Sequence, residues 1–168
     1  MTSPDGPVVV LGVGNVLLGD DGVGVHVVRA LERLAQRGLV ELPPGTRLVD
    51  GGTLGLDLLP LVSSARALVL VDAVDRGHAP GAVEVLPGDA LTRASAVGIS
   101  PQRAGVGDLL AARSVAGGLP KAIALVGVQV GEIGIGSGLT GSVRAAVPAA
   151  VDAVIDVLRR PEAAGVAA

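Results

Sequence analysis

The sequence of 168 residues contains no cysteine and no phenylalanine, tyrosine or tryptophan. The absence of cysteine excludes disulfide bonds, a thiolate nucleophile and zinc sites with thiolate ligands. The absence of aromatic rings removes the stacking surface on which single-strand nucleic-acid binders rely. The 13 Lys and Arg residues are scattered among 16 acidic residues, so the net charge is −3 and no basic stripe is available for phosphate backbones. We therefore expect no nucleic-acid partner.

Long apolar runs are also lacking, since no apolar stretch reaches the roughly 18 residues that a membrane-spanning helix requires. The first residues, MTSPDGPVVV, have no basic residue ahead of their apolar part and so differ from a secretory signal. A chain of this length fits one domain that buries its own core. We therefore expect a cytoplasmic protein with no membrane partner and a single domain over 1–168. Its core should span about 7–160, followed by a disordered tail.

The sequence does contain a succession of aliphatic strands and amphipathic helices. The apolar, β-branched runs predict strands at Pro7–Val13, Thr46–Val49, Ala67–Val71, Ala82–Leu86 and Ala122–Val128. Apolar residues spaced three and four apart predict helices from Asp21, over Leu54–Val62 with an N-cap at Thr53 and a bend at Pro60, at Val106–Ser114, and from Val143. This alternation predicts a three-layer α/β/α sandwich with a five-stranded, mostly parallel sheet, whose fourth strand is an antiparallel edge.

Aspartates follow each of the first three predicted strands. Asp20 and Asp21 come after the first strand, Asp50 after the second and Asp72 after the third. In sheets of this kind, ligands bind beyond the carboxyl ends of the strands. A carboxylate cluster there can hold a divalent cation, or form a pair with a raised carboxyl pKa for proton transfer.

Three of these four aspartates also have a plain structural interpretation. Asp20 or Asp21 can cap the first helix, and Asp50 can brace its own turn. A purely structural role is harder to argue for Asp72, because it interrupts an apolar strand with no helix start behind it and an unpaired buried carboxylate is costly.

The remaining residues favour no other chemistry. His26 lies on the polar face of the first helix and His78 in a Gly- and Pro-containing loop, so both are expected at the surface. No serine lies in a G-x-S-x-G nucleophile elbow. Gly12 and Gly14 begin a dinucleotide fingerprint, but Leu17 occupies its third glycine position, and a lone G-x-G is a weak signal.

Six segments between Val8 and Leu158 carry a distinctive order of motifs. They read VLGVGNVLLGDDGVGVHVV, VDGGTLGLDLL, LVLVDAV, ISPQRAGVGDLLAA, LPKAIALVGVQ and IGSGLTGSVRAAVPAAVDAVIDVL. In this order they resemble the hydrogenase maturation proteases. The resemblance covers nearly the whole chain and implies a phosphorylase/hydrolase-like α/β fold and an endopeptidase activity.

The resemblance also implies a nickel-binding trio. In the family, the ligands come from a G-N-x-L-x-x-D-[DE] loop, an aspartate after the third strand and a histidine in an S-P-H loop. The first two correspond to Asp21 and Asp72, which we expect to be both metal ligands and catalytic residues. The third position is Gln102, in the segment SPQR, and an amide oxygen is a weaker nickel ligand than imidazole. Gln102 can instead form a hydrogen bond or leave its place to water or to His78.

The function implied by the resemblance is removal of the C-terminal extension of a nickel-iron hydrogenase large-subunit precursor after nickel insertion. The nickel would then come with the precursor, and no obligate small-molecule ligand is expected. Water would attack the scissile carbonyl with Asp21 or Asp72 as base. Two alternatives remain open. One is a non-catalytic checkpoint that binds the nickel-loaded precursor, because Gln102 replaces the histidine; the other is a small-molecule binder that uses the Gly12 loop at a helix N-terminus.

Overall fold

The structure, a computed structural model of the chain, describes residues 6–88, 90–91, 120, 122–136 and 138–160. Its centre is a sheet of β1 (Val8–Val13), β2 (Thr46–Gly52), β3 (Ala67–Val74), β4 (Val83–Pro87) and β5 (Ala122–Gln129). The strand order is β2-β1-β3-β5-β4. Neighbouring strands are parallel except for β4, which lies antiparallel to β5 at one edge. The predicted mostly parallel sheet with an antiparallel fourth strand is confirmed.

Helices cover both faces of the sheet. They are α1 (Val23–Gln36), α2 (Leu59–Ser63) and α3 (Gly141–Arg159), and 3₁₀ turns over Gly19–Gly22 and Gly55–Leu58 lead into the first two. Helices α1 and α3 contact each other and share one apolar cluster with the sheet. Helix α2 contributes to a second cluster on the opposite face. This is the predicted three-layer α/β/α sandwich.

The strands divide their side chains between the two clusters. In β1, Val10 belongs to the cluster of α1 and α3, whereas Val9 and Leu11 belong to the cluster of α2. All three side chains are fully buried, as expected for a strand inside a parallel sheet. Burying a side chain of this size contributes roughly 1.5–3 kcal/mol. An aliphatic core can therefore hold the domain together without aromatic rings.

Helix α1 confirms the amphipathic pattern read from the sequence. Val23, Val27 and Leu31 lie one helical turn apart, and all three are fully buried against the sheet. Arg29 and Arg33 lie on the exposed face. The helix could be predicted from the sequence because a helix that packs on a sheet must bury one continuous apolar stripe.

The helix after β2 differs from its prediction. It begins as the 3₁₀ turn Gly55–Leu58 and continues as the five-residue α2, with Pro60 in the first turn of α2. Proline is favourable at that position, because its missing N–H falls where a helix has no internal partner for it. The prediction of Thr53 as N-cap is also wrong: Leu54 occupies that position and makes no side-chain cap hydrogen bond.

Strand β3 is longer than predicted and runs past Asp72 to Val74. The reason is the adjacent β5, which continues to Gln129 and pairs with β3 through Asp72↔Gly127 and Val74↔Gln129. Because backbone pairing with a neighbour extends a strand irrespective of side-chain polarity, the carboxylate does not end it. Asp72 therefore stands within the strand, near its carboxyl end.

Several predicted features lie outside the described residues. These are Gln102, the helix expected at Val106–Ser114 and the tail after Arg160. The fourth strand ends one residue later than predicted, at Pro87, and Ala90 and Leu91 are helical. Over the part of the chain that the structure describes, no helix combines the length and apolar character needed to cross a bilayer.

Candidate functional site

Asp20 links two distant loops at the carboxyl edge of the sheet. Its side chain is fully buried. Oδ2 accepts hydrogen bonds from the backbone N–H of Gly131 and of Glu132, both at 2.9 Å. The backbone N–H of Thr140 donates to Oδ1 at 2.7 Å, and the Thr140 hydroxyl donates to Oδ2 at 2.9 Å. Asp20 therefore joins the loop after β1 to the loop that leads into α3, and does not cap α1 as the sequence suggested.

These hydrogen bonds keep Asp20 ionised. Burial alone would raise the pKa of Asp20, but the donors on Glu132, Thr140 and Gly131 outweigh it, so the pKa lies below its ordinary value of 3.8. A carboxylate that accepts several N–H and O–H donors is stabilised in its charged form. Asp20 is thus a structural anchor that is charged at neutral pH and a poor candidate for a proton carrier.

Asp21 lies beside this anchor and is also buried, with 5% of its surface exposed. The backbone N–H of Asn15 donates to Asp21 Oδ2 at 2.8 Å. The Asn15 side chain in turn accepts a hydrogen bond from the N–H of Leu17 at 2.9 Å, which is an Asx turn. The asparagine of the loop therefore shapes the backbone that orients the Asp21 carboxylate.

Asp72 lies on the neighbouring strand and is 7% exposed. Its Oδ1 accepts a hydrogen bond from the N–H of Ala73 at 2.8 Å. The 3₁₀ turn that contains Asp21 contacts β3, which contains Asp72. The structure thus places two buried carboxylates, predicted as site residues, on contacting elements at one edge of the sheet.

Glycines allow this close contact between α1 and the strands. A Cβ atom on Gly24 would lie 2.1 Å from the carbonyl oxygen of Val71 and 2.5 Å from that of Val13. A Cβ atom on Gly12 would lie 2.3 Å from the carbonyl oxygen of Gly24. These distances are far below van der Waals contact, so only glycine fits. The glycine pattern that suggested nucleotide binding therefore has a packing role between backbone segments.

Asp50 does not join the buried pair. Its Oδ2 accepts a hydrogen bond from Arg29 Nε at 2.8 Å and forms an ion pair with Arg29 Nη2 at 2.7 Å. Its Oδ1 accepts a hydrogen bond from the N–H of Gly52 at 3.1 Å. The side chain is 36% exposed. Asp50 thus braces its own turn, which was one of its two predicted roles.

The two histidines differ in their surroundings. His26 is half-buried on α1, where burial is the main cause that lowers its pKa below the ordinary value of 6.5. Three nearby guanidinium groups lower this pKa further, those of Arg29, Arg33 and Arg144. His78 is exposed, as predicted. Within the described ranges, no group of three or more His, Asp and Glu side chains is arranged to hold a metal ion.

Gln129 is a buried polar residue that the sequence analysis missed. It is 4% exposed at the end of β5, and its Oε1 accepts hydrogen bonds from the N–H of Arg76 at 2.8 Å and of His78 at 3.3 Å. Its Nε2 donates to Asp75 Oδ1 at 3.1 Å. Gln129 therefore fixes the turn that follows β3. The available signal was a lone amide at the end of an apolar strand.

Comparison with known sequences identifies the family. The sequence profile described as "Hydrogenase maturation protease" matches residues 25–157. The hydrogenase 2 maturation protease of Escherichia coli (strain K12) is 37% identical over 153 residues, which cover 90% of this chain and 90% of that protein. The hydrogenase expression/formation protein HoxM of Azotobacter vinelandii is 37% identical over 160 residues, covering 94% of this chain and 74% of that protein.

Solved structures agree with this assignment. The hydrogenase maturating endopeptidase HybD from E. coli superposes with a TM-score of 0.80 at 35% identity, covering 92% of this chain and 93% of that one. The [NiFe] hydrogenase maturation protease HybD from Thermococcus kodakarensis has the same fold, with a TM-score of 0.72 at 24% identity over 90% of this chain and 99% of that one. Family profile, relatives and fold agree over most of the chain, which therefore belongs to the hydrogenase maturation protease family.

Proposed function

We propose that this protein is the endopeptidase that removes the C-terminal extension of a nickel-iron hydrogenase large-subunit precursor after nickel insertion. The observation that carries the proposal is the pair of buried carboxylates, Asp21 and Asp72, on contacting elements at the carboxyl edge of the sheet. Membership in a family of maturation endopeptidases supplies the reaction class.

In this proposal, nickel is part of the substrate. Carboxylate oxygens are suitable ligands for a divalent cation, so Asp21 and Asp72 would take part of the coordination shell of the nickel that the precursor carries. Gln102 would occupy the third position with a weaker amide oxygen. The loaded metal would then mark the precursor as ready and bring its tail to this edge of the sheet.

The chain's own residues provide orientation and a base. The N–H of Asn15 holds the carboxylate of Asp21, and the N–H of Ala73 holds that of Asp72. A carboxylate fixed in this way can take the proton of a water molecule that attacks the scissile carbonyl. Asp20 already accepts four hydrogen bonds from the opposite loop, so Asp21 and Asp72 are the two candidates for this base.

A second candidate function follows from Gln102. If the missing imidazole prevents productive nickel contact, the protein would act as a checkpoint that binds the loaded precursor without cutting it. This alternative predicts a stable complex from which no tail is released.

The intact mass of a nickel-loaded precursor distinguishes the two functions. We expect the wild-type protein to shorten the precursor, the variant Asp72→Asn to leave it uncut, and Asp152→Asn, a matched change at an exposed aspartate of α3, to cut like wild type. Circular dichroism of the Asp72→Asn variant checks that its fold is retained.

The variant Gln102→His completes the design. Tail release by wild type refutes the checkpoint, whereas release only by Gln102→His refutes the proposed protease activity of the natural chain. Cleavage that survives in Asp72→Asn would remove the carboxylate pair from the mechanism.

A further inference from the structure

Three large apolar side chains stand exposed on the two loops that Asp20, the neighbour of Asp21, joins. Leu17 is 67% exposed, Ile133 46% and Ile135 97%. We call Leu17, Ile133 and Ile135 the apolar rim. Exposed apolar residues are common singly, but a group of them on adjoining loops marks a surface that another molecule covers.

Backbone contacts between two loops hold the apolar rim together. Leu18 and Gly136 form a parallel β-bridge, in which the N–H of Gly136 donates to the carbonyl of Leu17 at 3.2 Å. The N–H of Asp20 donates to the carbonyl of Glu132 at 3.2 Å, and the Asp20 carboxylate binds the N–H of Glu132 in return. The rim is thus part of a braced structure, and a partner that binds it need not order it first.

Chain connections and hydrogen bonds link the apolar rim to the turn that contains Asp21. Leu17 precedes the 3₁₀ turn Gly19–Gly22, which contains Asp21. Ile133 and Ile135 belong to the loop whose backbone N–H groups donate to Asp20, the residue before Asp21. A polypeptide whose scissile bond lies at Asp21 and Asp72 therefore reaches the rim with the residues next to that bond.

The charge around the rim defines the chemistry of its partner. Residues 14–19 carry no charged side chain, and Glu132 is the single charged residue of 131–136. Glu132, Asp21 and Asp72 all disfavour an acidic ligand here. The surface suits an uncharged, apolar peptide segment.

We propose that the apolar rim docks an apolar segment of the polypeptide substrate, adjacent to the bond that is cut. The inference rests on the proposed function in taking the large-subunit precursor as that polypeptide. The apolar rim would be a second recognition element, which contacts the peptide and not the metal.

The kinetic test introduces a negative charge into the apolar rim and includes a matched control. Leu17→Glu and Ile135→Glu should each raise the KM for the nickel-loaded precursor roughly tenfold or more, with kcat within about twofold of wild type. The control is Leu39→Glu, because Leu39 is also 67% exposed but follows the C-terminal end of α1. Unchanged KM values in both rim variants, or an equal rise in Leu39→Glu, would overturn the inference.

A binding test that does not depend on cleavage uses the five isoleucines of the chain. In a protein labelled at isoleucine methyl groups, excess nickel-loaded precursor should shift or broaden the signals of Ile133 and Ile135. The buried Ile123 and Ile155, 1% and 9% exposed, serve as internal controls. The variants Ile133→Val and Ile135→Val assign the two rim signals.

The two tests separate this inference from the proposed function. Rim signals that respond while the tail stays on the precursor would leave the docking surface standing and refute the protease. Silent rim signals overturn the docking surface whether or not the tail is released. Rim signals that change with the protein's own concentration, without precursor, would assign the surface to a second copy of the chain and also overturn the inference.

Discussion

The carboxylate of Asp20 accepts two hydrogen bonds from Thr140, one from its backbone N–H at 2.7 Å and one from its hydroxyl at 2.9 Å. The two residues are 120 positions apart in the chain. Thr140 is the residue that precedes α3. Asp20, the neighbour of the candidate base Asp21, therefore also positions the start of α3.

Asp20→Asn should destabilise the fold by about 2–4 kcal/mol, because an amide turns a donor towards backbone N–H groups that need an acceptor in a buried site. The measurement is urea unfolding followed by far-ultraviolet circular dichroism, since a chain without Trp or Tyr gives no intrinsic fluorescence signal. Asp50→Asn is the control, because the exposed Asp50–Arg29 pair should contribute only about 0–1 kcal/mol.

The Asp20 effect should also depend on pH. The pKa of Asp20 is lowered by folding, so its contribution to stability is present above the ordinary carboxyl value of 3.8 and is lost as pH falls through the lower folded value. The stability difference between wild type and Asp20→Asn should therefore be constant near neutrality and shrink in acid. A difference that grows in acid would contradict this account.

His26 should produce a separate loss of stability in mild acid. Folding lowers the pKa of His26, mainly through burial and further through neighbouring arginines, so the unfolded chain binds its proton more readily than the folded one. Stability should thus fall as pH decreases through the ordinary value of 6.5. We expect the midpoint of urea unfolding to drop less between pH 7 and pH 5.5 in His26→Gln than in wild type. Parallel profiles would exclude His26 as the cause.

Gly24→Ala should be severely destabilising, by about 3 kcal/mol or more, because the new methyl group would overlap the carbonyl oxygens of Val71 and Val13. Gly141→Ala is the matched control, since Gly141 is the first residue of α3 and a Cβ atom there meets nothing within 4 Å. The control should be neutral or gain about 0.4–1 kcal/mol. Equal stabilities of the two variants would refute the packing role of Gly24.

Gln129→Ala should loosen the turn after β3, because the N–H groups of Arg76 and His78 lose their acceptor. We expect faster hydrogen exchange at these two amides and a loss of about 1–3 kcal/mol in global stability. The amide of Val130, which donates to the carbonyl of Val74 at 3.0 Å, serves as a local reference. Unaltered exchange at Arg76 and His78 would show that the turn holds without the glutamine.

The layered sheet could be predicted because its signals are local. Buried strands appear as short aliphatic runs, and α1 shows an apolar stripe with a helical period. The position of Asp21 and Asp72 at one edge followed from the same reasoning, since parallel strands end together. The extension of β3 beyond Asp72 could not be predicted, because it depends on pairing with β5. The paired residues Asp72 and Gly127 lie 55 positions apart in the sequence.

The role of Asp20 was missed for a similar reason. An acidic residue at the start of a helix is most often a cap, and nothing near Asp20 in the sequence indicates donors at Gly131 or Thr140. Gln129 was missed because a single amide after an apolar run carries no periodic signal. Both residues act across the fold, and only the structure shows which distant backbone groups they satisfy.

The connection between Asp20 and the loop before α3 also sets an order of events during synthesis. The ribosome makes the chain from its N-terminus, so Asp20 emerges long before the backbone donors of Gly131, Glu132 and Thr140. A nascent or truncated chain that ends before Thr140 lacks part of the structure that holds the Asp21 loop. The hydrogen bonds that hold the acidic edge are complete only when translation has passed Thr140, so copies that stop before this residue lack them.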